Sequence, residues 1–198
     1  RYAPEMTRDQ VELQGVMLIN KEGEEHSRLR RIISRGFTPR AIASLHEMLD
    51  TRAKKIVADA LAKGSGDLVD DVSAELPLQA IADLLGVPQE DRRKLFTWSN
   101  QMLGYDDPDV EGDPEAASIE ILNYFMPLAE ERKANPQDDI VTKLVTSGED
   151  GAGLTSDEFG FFVILLVVAG NETTRNAITL GMKAFFENPD QWELFCKE

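Results

Sequence analysis

Residues 155–188 read TSDEFGFFVILLVVAGNETTRNAITLGMKAFFEN, and this stretch predicts one long helix. Thr155 and Glu158 have the spacing of a capping box, in which a hydroxyl and a carboxylate each satisfy a main-chain amide of the first turn. No helix breaker follows before Asn188-Pro189, so the helix would run for about 33 residues, or about 50 Å at 1.5 Å per residue. Helices of globular proteins average about 11 or 12 residues, which makes this one the centre of the fold.

The first half of this helix, Phe159 to Gly170, is apolar on every side. That pattern is typical of a helix surrounded by protein. The run covers 12 residues, whereas a membrane span needs about 20. The N-terminus, Arg1 to Glu5, lacks the charged-then-apolar layout of a signal peptide. We therefore expect no transmembrane segment and no export signal.

Composition indicates a globular domain and excludes several partners. The 198 residues carry 36 Asp and Glu against 21 Lys and Arg, which gives a net charge of −15. Nucleic acid is not expected as a partner, because phosphate binding needs a basic surface. The single cysteine, Cys196, excludes a disulfide framework and a multi-cysteine metal site within the chain. A reducing cytoplasm suits such a protein.

The remaining chain also favours helices. Alternating strand patterns are scarce, and glycine and proline separate segments with helical periodicity. Thr38-Pro39 opens one helix as cap and first residue, Gly86 ends another, and Pro77 should kink or restart that second helix. We expect an all-α fold in one domain over residues 1–198, with an acidic loop at 105–113. The predicted helices cover about 24–34, 39–64, 68–85, 88–103, 114–135 and 139–146.

A short polar segment, Asn171 to Arg175, interrupts the apolar character of the long helix. At 100° per residue, Ala169, Glu172 and Thr173 share one side, so a carboxylate and a hydroxyl project beside an apolar wall and can relay protons. The hydroxyl can also bond to a carbonyl one turn back and bend the helix, while Gly170 would leave room for a small molecule. The alternative is structural: Gly170 allows close helix packing, and Glu172 pairs with a lysine or arginine elsewhere in the chain.

A second cluster of polar residues lies near the N-terminus. His26 and Arg30 are four residues apart, so both can reach one anionic group, and the arginine fork suits a carboxylate. Because Leu29 and Ile33 flank them, we expect this face to point inward. The alternative is a solvated basic helix in which His26 only caps or packs. A strip on the opposite side is basic and consists of Arg28, Arg31 and Arg35.

These residues resemble the cytochrome P450 family. The run Ala169 to Thr174 matches the family's central I-helix motif, and His26 to Arg30 with Phe37-Thr38-Pro39-Arg40 is similar to its C-helix segment. About 140 residues separate the two motifs, which fits helices D to H between them. Further runs resemble the actinobacterial P450s that oxidise the terminal side-chain methyl of cholesterol or cholestenone. They are 75–82, 95–100, 169–176 and 188–194.

The resemblance implies the central part of a P450 fold, from the B–C region to helix J. It implies a haem-thiolate monooxygenase that uses haem b, O2 and electrons from NAD(P)H supplied through ferredoxin reductase and ferredoxin. Glu172 and Thr173 would handle protons, His26 and Arg30 would bind the haem propionates, and Ala169 and Gly170 would border the haem. Arg28, Arg31 and Arg35 could dock an acidic ferredoxin, although solvated surface arginines are the alternative.

The resemblance also implies a steroid-binding side. Candidate substrate contacts are Val168 and Leu165 on the long helix, Met102 and Leu103 at the end of the F-like helix, and Val16, Met17 and Leu18. Plain core packing is the alternative for each of these apolar side chains.

The family's cysteine loop has no counterpart here. Glu-x-x-Arg, the family's K-helix pattern, occurs from Glu5, Glu25, Glu90 and Glu172, but none of these matches precedes a cysteine loop of the required kind. Cys196 lacks the glycines that surround the haem ligand, so we expect no metal ligand in this chain and an axial cysteine outside it. The resemblance therefore implies part of a P450 domain. A non-catalytic P450-like helical binding or scaffold fragment is the alternative.

Overall fold

A computed structural model describes residues 15–103, 112–146 and 153–197. Within these ranges the chain folds into eight α-helices and contains no strand, which confirms the all-α prediction. Two 3-10 turns, Leu18–Asn20 and Gln89–Asp91, and a π-helical turn, Val69–Ser73, join them. The helices are α1 Gly23–Gly36, α2 Pro39–Lys63, α3 Glu75–Leu84, α4 Arg92–Leu103, α5 Pro114–Ala134, α6 Ile140–Thr146, α7 Ser156–Glu187 and α8 Pro189–Phe195.

Glycine and proline set most of the helix ends that the sequence predicts. Gly64 and Gly86 follow α2 and α3 with φ angles of 77° and 67°, a region in which residues with a side chain are strained. Pro77 does not kink a continuous helix. The chain restarts at Glu75 after the π-helical turn, so Pro77 falls in the first turn of α3, where its missing N–H has no helical acceptor. The predicted acidic loop at 105–113 lies largely outside the described residues.

Helix α7 forms the centre of the packing and contacts α3, α4 and α5. Phe159, Val163, Val167 and Asn171 are fully buried at four-residue spacing, so they form one continuous stripe. The side chains that share the core with this stripe include Leu78 of α3, Leu95 of α4, and Ile121 and Phe125 of α5. Although α7 has the length and mean hydropathy of a membrane span, its buried side faces protein.

The start of α7 has the capping box that the sequence predicts. The Thr155 hydroxyl accepts from the Glu158 amide at 3.2 Å, and the Glu158 carboxylate accepts from the Thr155 amide at 2.9 Å. Arg28 of α1 forms an ion pair with the same carboxylate. Glu158 therefore caps α7 and joins α1 to it.

Replacing Thr155 with alanine should lower the free energy of unfolding of the full-length protein by about 1 kcal/mol, because an orphan amide loses its acceptor. Thr51→Ala is the control, since the Thr51 hydroxyl bonds to the Glu47 carbonyl inside α2 and alanine favours a helix interior. Urea denaturation of both variants measures the difference. Equal stability of the two variants would contradict a capping role for Thr155.

A set of charged side chains joins α2, α3 and α4. Arg52 of α2 donates to both carboxylate oxygens of Asp83 at 2.8 Å. The Glu75 carboxylate is largely buried and accepts from Arg92 Nε at 3.2 Å, while its other oxygen pairs with Arg93 Nη2 at 2.5 Å. Glu75 thus fixes the start of α4 against α3.

The chain turns at Asn188-Pro189, and α8 packs an aromatic cluster against the end of α7. The Phe185 ring centroid lies 5.2 Å from that of Trp192 and 5.1 Å from that of Phe195. This end of the molecule presents much apolar surface. Its exposed large apolar residues are Leu180, Phe186, Trp192, Leu194 and Phe195.

Candidate functional site

The candidate site is built on the polar turn of α7. The Thr173 hydroxyl donates to the Ala169 carbonyl at 2.5 Å, which confirms the predicted bond to the preceding turn. Thr173 and Ala169 are both exposed within the described part of the chain. The side of α7 that carries them is therefore open at this point, whereas the Phe159 to Val167 stripe is covered.

Glu172 is held by its own helix. Its side chain is 22% exposed and forms an ion pair with Arg175 through Oε2. Its other oxygen, Oε1, accepts from Asn176 Nδ2 at 2.8 Å. The structure thus supports part of the structural alternative, since Glu172 does pair with an arginine, and that arginine lies one turn further along α7.

Gly170 faces α3, so it leaves no room for a small molecule on this side, and its place beside the haem stays a prediction. A Cβ at this position would lie 3.1 Å from Ile81 Cδ1, closer than ordinary van der Waals contact. The missing side chain therefore lets α7 approach α3, which favours the helix-packing alternative.

Arg175 connects the polar turn of α7 to α4. Its Nη1 donates to Asn100 Oδ1 at 2.8 Å, and its Cζ lies 5.7 Å from the centroid of the Phe96 ring. Sequence reasoning missed this contact. The three-residue spacing from Glu172 to Arg175 could have indicated their ion pair, but no pattern connects Asn100 with a residue 75 positions away.

Asn171 was also missed as a site residue. It is fully buried, and neither its Nδ2 nor its Oδ1 has a hydrogen-bond partner among the described residues. Its place in the stripe of Phe159, Val163 and Val167 could have indicated burial. Most buried amides in proteins are hydrogen-bonded, so Asn171 is a polar group that the packing of α7 leaves unsatisfied.

Helix α1 points only part of its predicted face inward. Leu29 and Ile33 are buried and His26 is half-buried, but Arg30 is exposed, so the inward prediction is wrong for Arg30. Leu29 and Ile33 supply the apolar contact, and the longer Arg30 side chain stays solvated.

The arginines of the predicted basic strip already interact with other residues of the chain, which reduces the charge they could offer to a partner. Arg28 pairs with Glu158, which offsets its charge and gives it a structural role. Arg31 and Arg35 are exposed on the same helix, and each has an interaction partner of its own.

The candidate substrate contacts lie on α7, at the end of α4 and in the segment before α1. Leu165 and Val168 are half-buried on α7, and Met102 is half-buried at the end of α4, where it packs against the core, while Leu103 beside it is exposed. The third group consists of Val16, Met17 and Leu18, which are half-buried and precede α1. The 3-10 turn that begins at Leu18 contacts α7.

These residues fit two sides of a haem. The exposed side of α7 at Ala169 offers a small residue beside the Thr173 hydroxyl, and the exposed Arg30 with His26 offers positive charge and donors for carboxylates. An axial thiolate is not offered, because Cys196 is exposed just after α8. The donors in the described residues would therefore suit the distal side and the propionates of a haem, and these roles stay predictions.

The chain is similar to known proteins over its full length. The chain is 62% identical over 198 residues to a Rhodococcus jostii protein named steroid C26-monooxygenase, covering 100% of the chain and 42% of that protein. It is 58% identical, over 100% of its length and 46% of the relative, to a Mycobacterium tuberculosis protein of the same name. The chain thus spans less than half the length of these curated relatives. No protein-family model matches it.

Among solved structures, the chain is similar to the LnmA cytochrome P450 hydroxylase from the leinamycin biosynthetic pathway of Streptomyces atroolivaceus. The two superimpose with a TM-score of 0.87 and 28% sequence identity. The match covers 100% of this chain and 48% of that one. The helices described above therefore have the arrangement of part of that fold.

Proposed function

Because this chain belongs to the cytochrome P450 family and has part of its fold, we propose that the complete protein is a haem-thiolate monooxygenase that hydroxylates the terminal methyl of a steroid side chain. The identity of 62% to a protein named steroid C26-monooxygenase carries this proposal. Cholesterol and cholest-4-en-3-one are the substrates we favour. The protein would work in the cytoplasm and receive electrons from NAD(P)H through ferredoxin reductase and ferredoxin.

The overall reaction consumes two protons, which have to reach the oxygen that is reduced. One steroid C–H bond, one O2, two electrons and two protons give one alcohol and one water. Haem b, when bound through a cysteine outside this chain, supplies the chemistry of oxygen activation. The protons would come through Glu172 and Thr173, whose hydroxyl lies on the exposed side of α7 next to Ala169. General acid catalysis by such positioned groups contributes about 10²- to 10⁴-fold to a rate.

The substrate would lie against the apolar residues beside that turn. Leu165 and Val168 form the wall on α7, and Met102 with Leu103 forms the end of α4. Val16, Met17 and Leu18 would close the third side. A sterol side chain is an apolar group, so its burial among such residues is driven by the hydrophobic effect.

The remaining roles concern charge. His26 and Arg30 would neutralise the haem propionates, since a charge-assisted bond to an arginine fork suits a carboxylate. Arg31 and Arg35 would contribute to docking of an acidic ferredoxin by charge complementarity. Arg28 pairs with Glu158, and Arg31 and Arg35 also have interactions of their own, so each would act in docking through the charge that remains exposed.

The test is to express the full-length protein and record its absorbance under carbon monoxide after reduction, followed by titration with cholest-4-en-3-one. A red-shifted Soret band typical of thiolate ligation, with a substrate-induced spectral change and an alcohol product at the side-chain terminus, supports the proposal. Absence of any haem band would favour the non-catalytic helical fragment. A haem band without sterol binding would keep the P450 chemistry and reject the substrate class.

Replacing Arg30 with alanine should weaken haem retention by about tenfold, because a propionate loses one charge-assisted partner. Transfer of haem from the purified full-length protein to an excess of apomyoglobin measures the rate of loss. Lys55→Ala is the control, since Lys55 is an exposed cation on α2 outside the segments that resemble P450 motifs. Identical rates for the two variants would make Arg30 an ordinary surface residue.

A further inference from the structure

Arg175 lies at the junction between α4 and the proposed proton pathway. Its side chain is only 16% exposed. One guanidinium nitrogen donates to Asn100 of α4 at 2.8 Å, the other pairs with Glu172 Oε2, and the guanidinium carbon lies 5.7 Å from the centroid of the Phe96 ring. A single side chain thus makes three directional contacts with two helices.

These contacts restrict the guanidinium more than an ordinary helix ion pair would. A pair three residues apart on a helix contributes about 0.2–0.5 kcal/mol, which leaves both side chains free to exchange rotamers. Arginine is planar, with donors in a fixed fork that can also stack on an aromatic ring. Because Asn100 and Phe96 orient that plane from α4, they also determine where the second nitrogen meets Glu172.

The same helix carries the proposed substrate contacts. Met102 and Leu103 follow Asn100 by two and three residues and end α4. The other end of α4 is fixed by Glu75 through Arg92 and Arg93. A displacement of the end of α4 by a bound ligand would therefore act on Asn100 before it reached the start of the helix.

We propose that Arg175 is a positioning residue that sets the Glu172 carboxylate according to the position of α4, so that occupancy of the substrate site controls proton delivery. This inference rests on the proposed function, in which Glu172 supplies protons. Arg175 itself does not meet substrate or haem in the proposal. It acts through Glu172.

The test uses the full-length protein and measures sterol product formed per NAD(P)H consumed, together with the hydrogen peroxide released. Asn100→Ala removes the hydrogen bond from α4 and leaves the Phe96 contact and the Arg175–Glu172 pair. Arg175→Lys keeps the charge and removes the fork. Both should lower the product yield per NAD(P)H by about three- to tenfold, with peroxide rising in proportion and the KM for sterol changing less than about twofold. Thr97→Ala, on the exposed side of α4, is the control and should keep the wild-type yield.

The Glu172→Gln variant separates the two proposals. If Arg175 acts through Glu172, Asn100→Ala and Arg175→Lys cause no further loss of yield when combined with Glu172→Gln. A further loss of the same size in that background would overturn the inference, because the two residues would then act independently of Glu172. A loss for Glu172→Gln with a normal yield for Asn100→Ala and Arg175→Lys would also overturn it and leave the proposed function intact. A normal yield for Glu172→Gln would overturn the proton role of Glu172 and, with it, this inference.

Discussion

Thr173→Ala in the full-length protein is expected to lower the product yield per NAD(P)H by about tenfold or more, because a positioned proton donor is lost from the reaction. The electrons would then leave as hydrogen peroxide, since O2, two electrons and two protons balance to H2O2 without the steroid. The hydroxyl also bonds to the Ala169 carbonyl at 2.5 Å. Its removal frees that carbonyl beside the site, which adds to the disturbance.

Two further variants separate chemistry from helix geometry. Thr179→Ala removes a hydroxyl with the same kind of bond, to the Arg175 carbonyl at 2.9 Å, six residues further along α7. It should leave the yield near the wild-type value. Thr173→Ser keeps a hydroxyl and should restore most of the yield. A normal yield for Thr173→Ala, measured by peroxide assay and product chromatography together, would remove Thr173 from the proton pathway.

Glu75→Ala should lower the free energy of unfolding by about 2 kcal/mol, because removing one partner of a largely buried ion pair leaves the other charge uncompensated. The side chains of Arg92 and Arg93 are 29% and 49% exposed, so water recovers part of the loss and the effect stays below that of a fully buried pair. The start of α4 also loses its attachment to α3. Denaturant titration of the full-length protein, followed by far-ultraviolet circular dichroism, gives the difference.

The matched control is Asp50→Ala on α2. Asp50 pairs with Lys54 at 2.6 Å, but these side chains are 54% and 75% exposed. An exposed pair of this kind contributes about 0.5 kcal/mol or less, so Asp50→Ala should be nearly neutral. A loss of stability for Glu75→Ala no larger than for Asp50→Ala would mean that the contacts of Glu75 do not fix α4.

The helices could be predicted from sequence because local residues determine where they begin and end. Thr155 and Glu158 satisfy the first amides of α7 within four residues of chain, and Gly86 takes up a left-handed φ that few other residues tolerate. The Thr173 hydroxyl bond was predictable for the same reason, since its acceptor is one turn away. The resemblance to P450s, which the comparisons support, came from equally short motifs.

The partners of the site could not be predicted in the same way. Helical periodicity places Gly170 on a face of α7, but only the packing of α3 decides that this face meets Ile81. It places Arg30 beside Leu29, yet a long side chain can leave an apolar face and remain solvated. The contact of Arg175 with Asn100 depends on how two distant helices cross, and neither residue carries a local signal of it.

The aromatic cluster at the junction of α7 and α8 has a consequence for the colloidal behaviour of these 198 residues as an isolated polypeptide. Exposed apolar surface such as Phe186 and Phe195 favours self-association, while a net charge of −15 makes the molecules repel one another. Added salt shortens the Debye length from about 30 Å at 0.01 M to about 10 Å at 0.1 M, so the repulsion fades while the attraction remains. Dilute, low-salt buffers should therefore keep this polypeptide dispersed, and concentrated saline ones should precipitate it.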